Sequence, residues 1–248
     1  MIHVKRAPLV EASPLPWRRR ALGYAAPMGP DRSSRPLVAI DGPAGSGKST
    51  LARRLALEMN LPYVNTGLMY RALARRALDS GADREDGAAL RAILEAMSFQ
   101  LDRNAAPSSL LVDGRAPGPE VKEPEVEAIV SVVARHPEVR RLMAERQRVL
   151  GREGAVMEGR DIGSVVFPDA DVKIFLDASA DERVDRRTLE RAGAAGVAEE
   201  LARRDARDSR VNPFVPAADA VLLDTTGRTA DAVFVEATRI IRERVGER

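Results

Sequence analysis

Cysteine is absent from this 248-residue sequence, and histidine occurs only at His3 and His136. The sequence therefore offers no disulfide framework and no thiolate chemistry, and a histidine-rich metal centre is not expected. No apolar run approaches the ~20 residues that a membrane-spanning helix needs. The N-terminal segment also lacks the apolar stretch of a secretory signal. These absences predict a reducing, cytoplasmic setting without a membrane anchor.

Aromatic residues make up only 4% of the chain, which gives little support to a surface that stacks nucleic-acid bases. The formal net charge of the chain is +2, yet seven basic and only two acidic residues lie within positions 1–36. The rest of the chain is therefore net acidic. We predict no nucleic-acid binding for that part.

Residues 1–36 are rich in proline, arginine and small residues and lack hydrophobic periodicity, which predicts a disordered tail. A targeting peptide and a translation start at Met28 are alternative interpretations of this segment. The basic tail also allows an alternative function for the whole protein, namely a nucleotide-hydrolysing protein that associates with RNA through this tail. We expect the folded domain to span residues 37–248.

From residue 37 onward, short apolar strands alternate with helices. The strands of this alternation are predicted at 37–40, 62–65, 155–157, 172–176 and 220–223. An insert at about 93–150 interrupts them with two short strands and two helices, and two more helices are predicted within 180–209. The pattern is typical of an α/β fold with a central parallel sheet flanked by helices.

A glycine-rich segment follows the first strand, and it matches the pattern G-x-x-x-x-G-K-[ST]. It reads Gly42-Pro43-Ala44-Gly45-Ser46-Gly47-Lys48-Ser49-Thr50. Glycines let successive backbone N–H groups turn toward phosphate oxygens, and the helix that begins here adds partial positive charge. We expect Lys48 to bridge the β- and γ-phosphates of ATP and Ser49 to bind Mg²⁺. This P-loop predicts a nucleoside triphosphate site but does not identify the acceptor.

Polar and cationic residues cluster at the ends of predicted strands, where ligands bind in open α/β sheets. The clusters are Asn65 to Arg71, Gly159-Arg160-Asp161, and the arginine-dense run from Arg203 to Arg210. Guanidinium groups bind phosphate bidentately and stabilise the charge that spreads over a transferred phosphoryl group. The clusters therefore indicate an anionic acceptor.

Two aspartates allow two interpretations each. Asp177 ends the apolar run Ile174-Phe175-Leu176, a pattern that matches the second magnesium-site motif of many P-loop proteins. A strand-end or helix-start role is the preferred interpretation of this residue. Asp41, directly before the P-loop, is ambiguous in the same way.

Four segments resemble bacterial cytidylate kinases, which are P-loop nucleoside monophosphate kinases. The segments are Ile40 to Thr50, Thr66 to Arg71, Glu158 to Pro168, and Pro216 to Asp219. The resemblance covers about residues 37–245, and the G-R-D-I-G-x-V-V-F-P stretch is its most discriminating part. It implies ATP-dependent phosphorylation of CMP and dCMP by a monomer. The insert at 93–150 would be the monophosphate-binding domain, and about 181–212 would be a lid.

The resemblance also implies roles for individual residues. Lys48, Arg160 and Arg204 would act in phosphoryl transfer. The acceptor nucleotide would contact residues from the strand ends, the insert and the lid, namely Thr66, Tyr70, Arg71, Ser131, Arg140, Arg160, Asp161, Asp208 and Arg210. Within this set, Ser131, Arg140 and Asp161 would recognise cytosine.

Two departures from the family pattern affect these roles. The segment from Arg210 to Phe214 is about two residues short, and Thr66 replaces a serine of the family.

A P-loop kinase for another small acceptor, such as UMP, AMP, shikimate or gluconate, is the alternative function.

Overall fold

The structure, a computed structural model, describes residues 35–102, 104–190, 196–211 and 215–246, without the side chains of residues 190, 200, 204, 210 and 211. In chain order, its strands and helices are β1 (Leu37–Asp41), α1 (Lys48–Glu58), β2 (Tyr63–Asn65), α2 (Thr66–Asp79), α3 (Gly87–Ala96), β3 (Phe99–Asp102), β4 (Ser109–Val112), α4 (Pro124–Ala134), α5 (Pro137–Gly151), β5 (Ala155–Gly159), β6 (Val172–Asp177), α6 (Ala180–Glu190), α7 (Val197–Val211), β7 (Val221–Asp224) and α8 (Ala230–Gly246). The predicted strands and helices are confirmed, with boundaries shifted by a residue or two. The predicted tail lies almost wholly outside the described residues.

The central sheet is parallel, with the strand order β2-β5-β1-β6-β7. Strand β1 lies between β5 and β6, and its partners in β5 run from Ala155 opposite Leu37 to Gly159 opposite Asp41. Because all these strands run in one direction, their carboxyl ends meet at one edge of the sheet. The fold is the predicted α/β arrangement.

Both faces of the sheet are covered, since every residue of β1 is buried. Leu37 and Ala39 belong to one apolar cluster, whereas Val38 and Ile40 belong to a second cluster on the opposite face. This alternation follows from the two-residue period of a strand. It explains why β1 reads as a continuous apolar run in the sequence.

Local capping fixes where the helices at the site begin. The side chain of Asn65 accepts a hydrogen bond from the Leu68 N–H and caps α2. Asp86 caps α3 in the same way. Both α4 and α5 begin with a proline, whose missing N–H costs nothing in the first turn.

The predicted insert contributes to the same core as the sheet. Its strands β3 and β4 form a separate antiparallel hairpin. Val126 and Val133 of α4 and Met143 of α5 are completely buried in the cluster that also holds Ala39 and Met157 of the sheet. The insert is therefore packed on one face of the sheet.

Two short turns of helix were not predicted from the sequence. Pro119–Lys122 forms a 3₁₀ helix before α4. Ile162–Val166 forms a π-helical turn directly after β5, within the G-R-D-I-G segment. π-Helical turns occur often at functional sites. Among the helices of the described ranges, none has the length and apolarity to span a membrane.

We predict that Met143→Ala lowers the free energy of unfolding by about 3 kcal/mol, because it leaves a cavity in the shared core. Urea unfolding followed by circular dichroism would measure this loss. Val149→Ala on the same helix is the matched control, since Val149 is 66% exposed. A single transition is expected for both variants. A separate early transition in Met143→Ala would contradict a core shared by the insert and the sheet.

Candidate active site

The P-loop connects β1 to α1 and has the geometry of a phosphate cradle. Gly47 precedes α1 with a φ of 90°, a left-handed conformation that glycine adopts without a steric penalty. A Cβ at Gly42 would lie 2.1 Å from the backbone oxygen of Leu176, so only glycine fits there.

The Lys48 ammonium donates a hydrogen bond to the Pro43 oxygen at 2.6 Å. The Oγ of Ser46 is buried and has no hydrogen-bond partner among the described residues. These features fit a loop that wraps around phosphate oxygens.

Ser49 lies beside a buried carboxylate that sequence reasoning did not assign to the site. Its Oγ donates to Oε2 of Glu158 at 2.8 Å, and the Tyr63 hydroxyl donates to the other carboxylate oxygen. Glu158 is only 3% exposed. Burial, followed by the Glu158 charge, raises the pKa of Tyr63, so this phenol stays a neutral donor. Glu158 immediately precedes the G-R-D segment, and its position at a strand end was the available signal.

The residues around Ser49 suit Mg²⁺. The hydroxyl of Ser49 and the carboxylate of Glu158 are hard oxygen ligands, which Mg²⁺ prefers. Among the described residues there is no group of three or more His, Cys, Asp or Glu that could hold a metal ion. Mg²⁺ commonly needs no such group, because it keeps several waters and shares the phosphate oxygens of its nucleotide.

One cleft at the carboxyl edge of the sheet brings together ten of the residues predicted for the site, in addition to Ala44 of the loop. They are Lys48, Ser49, Thr66, Tyr70, Arg71, Ser131, Arg140, Arg160, Asp161 and Asp208. Arg187 of α6 also lines this cleft, although sequence reasoning did not select it. The cleft therefore joins the P-loop, α2, the insert and the two helices at the predicted lid.

Arg160 links three parts of the cleft. Its Nη1 donates to the Gly42 oxygen of the P-loop at 2.8 Å, and its Nε and Nη2 donate to Asp208 of α7 at 3.2 and 3.0 Å. Asp208 also accepts from the Ser131 hydroxyl of α4 at 2.8 Å. The P-loop, α7 and α4 thus meet at Arg160 and Asp208.

Arg140 and Asp161 form a second pair in the cleft, with Nη2 donating to Oδ2 at 2.6 Å. Burial by itself would lower the pKa of Arg140, but its neighbours Asp161 and Tyr70 together more than offset this, so the pKa is raised. The neighbouring side chain of Tyr70 is partly buried, and this burial raises the pKa of its phenol. Tyr70 is therefore neutral at physiological pH and can act as a hydrogen-bond donor.

Arg71 and Thr66 lie on α2, at the end of β2. The Arg71 Nε donates to Oε1 of Glu127 in α4 at 2.7 Å. The Thr66 hydroxyl donates to the backbone oxygen of Glu158 at 2.7 Å, which connects the start of α2 to the end of β5. The hydroxyl that replaces the family's serine is thus engaged in a backbone contact.

Asp41 joins the P-loop to the G-R-D-I-G segment. Its two carboxylate oxygens accept the backbone N–H groups of Ile162 and Gly163, each at 2.8 Å. Burial raises the pKa of Asp41 to about 6, although these two N–H groups oppose the shift.

Asp177, by contrast, is exposed at the end of β6, and its carboxylate accepts the N–H of Ala178. This agrees with the interpretation of Asp177 as a strand-end residue.

Arginines of α6, a helix of the predicted lid, connect it to the P-loop and to the segment after β7. Arg183 of α6 donates to the Ala44 oxygen at 3.2 Å and pairs with Asp205 of α7. Arg186 donates to the hydroxyl of Thr225 at 2.9 Å, after β7. Arg204 and Arg210 belong to α7, but their side chains lie outside the described part of the structure. The predicted roles of these two residues stay predictions.

Comparison with known proteins relates this arrangement to one family. The sequence model of the family "Cytidylate kinase" matches residues 38–243. A cytidylate kinase of Acidiphilium cryptum is 44% identical over 221 residues, covering 85% of this chain and 97% of that protein. A cytidylate kinase of Roseiflexus castenholzii is 44% identical over 213 residues, covering 81% and 91%.

Some relatives are longer proteins. A bifunctional pantoate ligase/cytidylate kinase of Synechococcus sp. (strain JA-3-3Ab) is 42% identical over 244 residues, which is 93% of this chain and 44% of that protein. The chain thus spans less than half the length of this two-function relative. It corresponds to nearly the whole length of the single-function relatives.

We predict that ionisation of Asp41 reduces stability as the pH rises. Its folded pKa of about 6 lies above the ordinary value of 3.8, so the fold favours the protonated carboxyl. Relative to Asp41→Asn, the free energy of unfolding of the unaltered chain should be highest below about pH 4 and fall by about 3 kcal/mol by pH 7.

Urea unfolding at a series of pH values would measure this difference. Asp177→Asn is the control, because it removes one carboxylate from the neighbouring strand end and corrects for the change in net charge. A difference that grows with pH would show that the two N–H groups outweigh burial, contrary to the prediction.

Proposed function

The chain belongs to the cytidylate kinase family, and on that premise we propose that it transfers the γ-phosphoryl group of ATP to CMP and dCMP, which yields ADP with CDP or dCDP. It is thus a phosphotransferase of pyrimidine nucleotide metabolism. The observation that carries the proposal is a cleft in which the P-loop faces Arg71, Arg140, Arg160 and Asp161. A triphosphate in the loop and a monophosphate among the arginines would meet there.

The acceptor is bound by charge and by hydrogen bonds. Arg71 and Arg160 bind the phosphate of CMP, because guanidinium forks match its oxygens bidentately. Asp161 accepts a hydrogen bond from the exocyclic amine of cytosine, while Ser131 and Arg140 complete the recognition of the base. Uracil presents an oxygen in place of that amine, and a carboxylate would repel it. Asp208 and Arg210 are assigned to the sugar and phosphate side of the nucleotide.

Phosphoryl transfer depends on position and charge. The attacking group is already a phosphate anion, so no side chain has to act as a strong base. Lys48, Arg160 and Arg204 stabilise the charge that spreads over the transferred group, and Arg187 is added to this set because it lines the cleft. Ser49, with Glu158 behind it, would hold Mg²⁺, which neutralises charge on the phosphate oxygens of ATP.

Water must be kept out, since it would otherwise accept the phosphoryl group. We assign this task to the lid helices α6 and α7 together with the insert at about 93–150. A monomeric state and a cytoplasmic location complete the proposal. The compared relatives support the nucleotide chemistry of the proposal.

The proposal is tested by ADP release from ATP and Mg²⁺ with CMP, dCMP, UMP, AMP or no acceptor. Fast turnover with CMP and dCMP alone is the expected result. The assay is run on the full chain and on a chain that starts at Met28, to find out whether the segment before it is needed. Turnover without an acceptor, or a preference for AMP or UMP, would overturn the proposed acceptor.

We predict that Arg160→Ala lowers kcat/KM for CMP about a thousandfold, because it removes a bidentate phosphate contact that is strongest in the transition state. The KM for ATP should change by less than about threefold. Arg152→Ala is the control, since Arg152 is exposed at the end of α5. An equal loss of affinity for ATP would show that Arg160 serves the P-loop, through Gly42, rather than the acceptor.

A further inference from the structure

Arg71, which lines the cleft, forms a hydrogen bond with the buried carboxylate of Glu127. Glu127 in the first turn of α4 accepts the Arg71 Nε–H at 2.7 Å, although the two residues are 56 positions apart. The side chains are only 8% and 14% exposed, respectively. Arg71 lines the cleft, whereas Glu127 is not among the cleft-lining residues. Glu127 therefore contacts the arginine on the side away from the cleft.

The planar geometry of the guanidinium group means that this contact orients the rest of the Arg71 head group. A hydrogen bond through Nε uses one edge of the planar group and fixes the orientation of its Nη groups. The Nη1 atom of Arg71 lies close to Gly67, where an added Cβ would stand 3.2 Å away. Gly67 is in the first turn of α2 and lines the cleft. The Nη edge is thus held over the start of α2, on the cleft side.

Glu127 differs from the other carboxylates that pair with cleft arginines. Asp161 and Asp208 line the cleft themselves, so a substrate can contact them. Glu127 lies behind Arg71 and belongs to the insert, while Arg71 belongs to a helix of the core. The pair consequently connects the position of α4 to the orientation of a phosphate-binding group.

We propose that Glu127 is a positioning residue for the acceptor phosphate, which holds the Arg71 guanidinium in the orientation that binds it. This inference rests on the proposed function and adds to it a residue that does not touch the substrate. A side chain fixed before binding loses less rotamer freedom when the ligand arrives. Loss of Glu127 should therefore weaken binding of the monophosphate and spare binding of ATP.

The positioning role and the negative charge of Glu127 have opposite effects on the affinity for a monophosphate, so substitutions can distinguish them. Removing a negative charge near the cleft would by itself strengthen the binding of an anion. Glu127→Ala removes both the charge and the accepting oxygen. Glu127→Gln removes the charge and keeps an oxygen that can accept from Nε.

Steady-state kinetics and isothermal titration with CMP would measure the effect. We expect Glu127→Ala to raise KM and Kd for CMP about tenfold, the loss typical of a charge-assisted hydrogen bond. Changes in kcat and in KM for ATP should stay within about twofold. Glu127→Gln should keep KM and Kd for CMP within about threefold of the unaltered chain. Glu125→Ala, an exposed residue of the same helical turn, should have no effect.

A coupled variant distinguishes positioning from a general loss of structure. In the Arg71→Ala background, Glu127→Ala should cause no further rise in KM for CMP, because the residue acts through Arg71. The proposal would be overturned if the double variant had a higher KM for CMP than Arg71→Ala alone. It would also be overturned if Glu127→Ala bound CMP more tightly, or if Glu127→Ala and Glu127→Gln lost the same affinity for CMP. Thermal unfolding of each variant identifies the temperature at which it is fully folded for the assay.

The outcome also separates this inference from the proposed function. If the unaltered chain does not bind or phosphorylate CMP, the proposed acceptor is wrong and this inference falls with it. If the unaltered chain phosphorylates CMP and Glu127→Ala does so with the same KM, only the role of Glu127 is wrong.

Discussion

The attachment of the G-R-D-I-G segment to the end of β1 is the contact on which the rest of the site depends. Asp41 binds the backbone of Ile162 and Gly163, and Arg160 binds the Gly42 oxygen in return. In the proposed reaction, two anionic substrates can meet only if the loop that would hold one stays within reach of the arginines that would hold the other. This reciprocal contact fixes that distance and uses only Nη1 of the Arg160 guanidinium for the Gly42 oxygen. Its cost is a buried carboxylate whose pKa is raised by burial.

Three arginines that line the cleft are paired with carboxylates. Arg71 pairs with Glu127, Arg140 with Asp161, and Arg160 with Asp208. An unpaired buried guanidinium would be costly, so these carboxylates make the arginine-rich cleft compatible with a stable fold. The same pairing shapes binding, because a substrate must offer contacts at least as good as those it replaces. Only partners that line the cleft, Asp161 and Asp208, can be exchanged in this way.

Much of the fold could be predicted because its signals are local. The apolar run of β1, the glycines of the P-loop and the prolines that begin α4 and α5 each specify structure over a few residues. The π-helical turn at Ile162–Val166 was not predicted, since it depends on Asp41, which lies about 120 residues earlier in the chain. The same limit applies to the site. Glu158 and Glu127 are ordinary acidic residues in the sequence, and only the folded chain brings them to Ser49 and Arg71.

The distribution of apolar contacts indicates which part of the cleft can move. The insert helices α4 and α5 share a core with the sheet, so opening there would expose apolar surface at a large cost. Helices α6 and α7 differ: Val197 and Leu201 of α7 are buried but belong to neither core cluster. This pair is joined to the rest of the site by polar contacts such as Arg183 to Ala44 and Asp208 to Ser131. Polar contacts can be exchanged for water or for substrate at a small net cost. Movement of α6 and α7 during substrate entry would therefore cost less than movement of the insert.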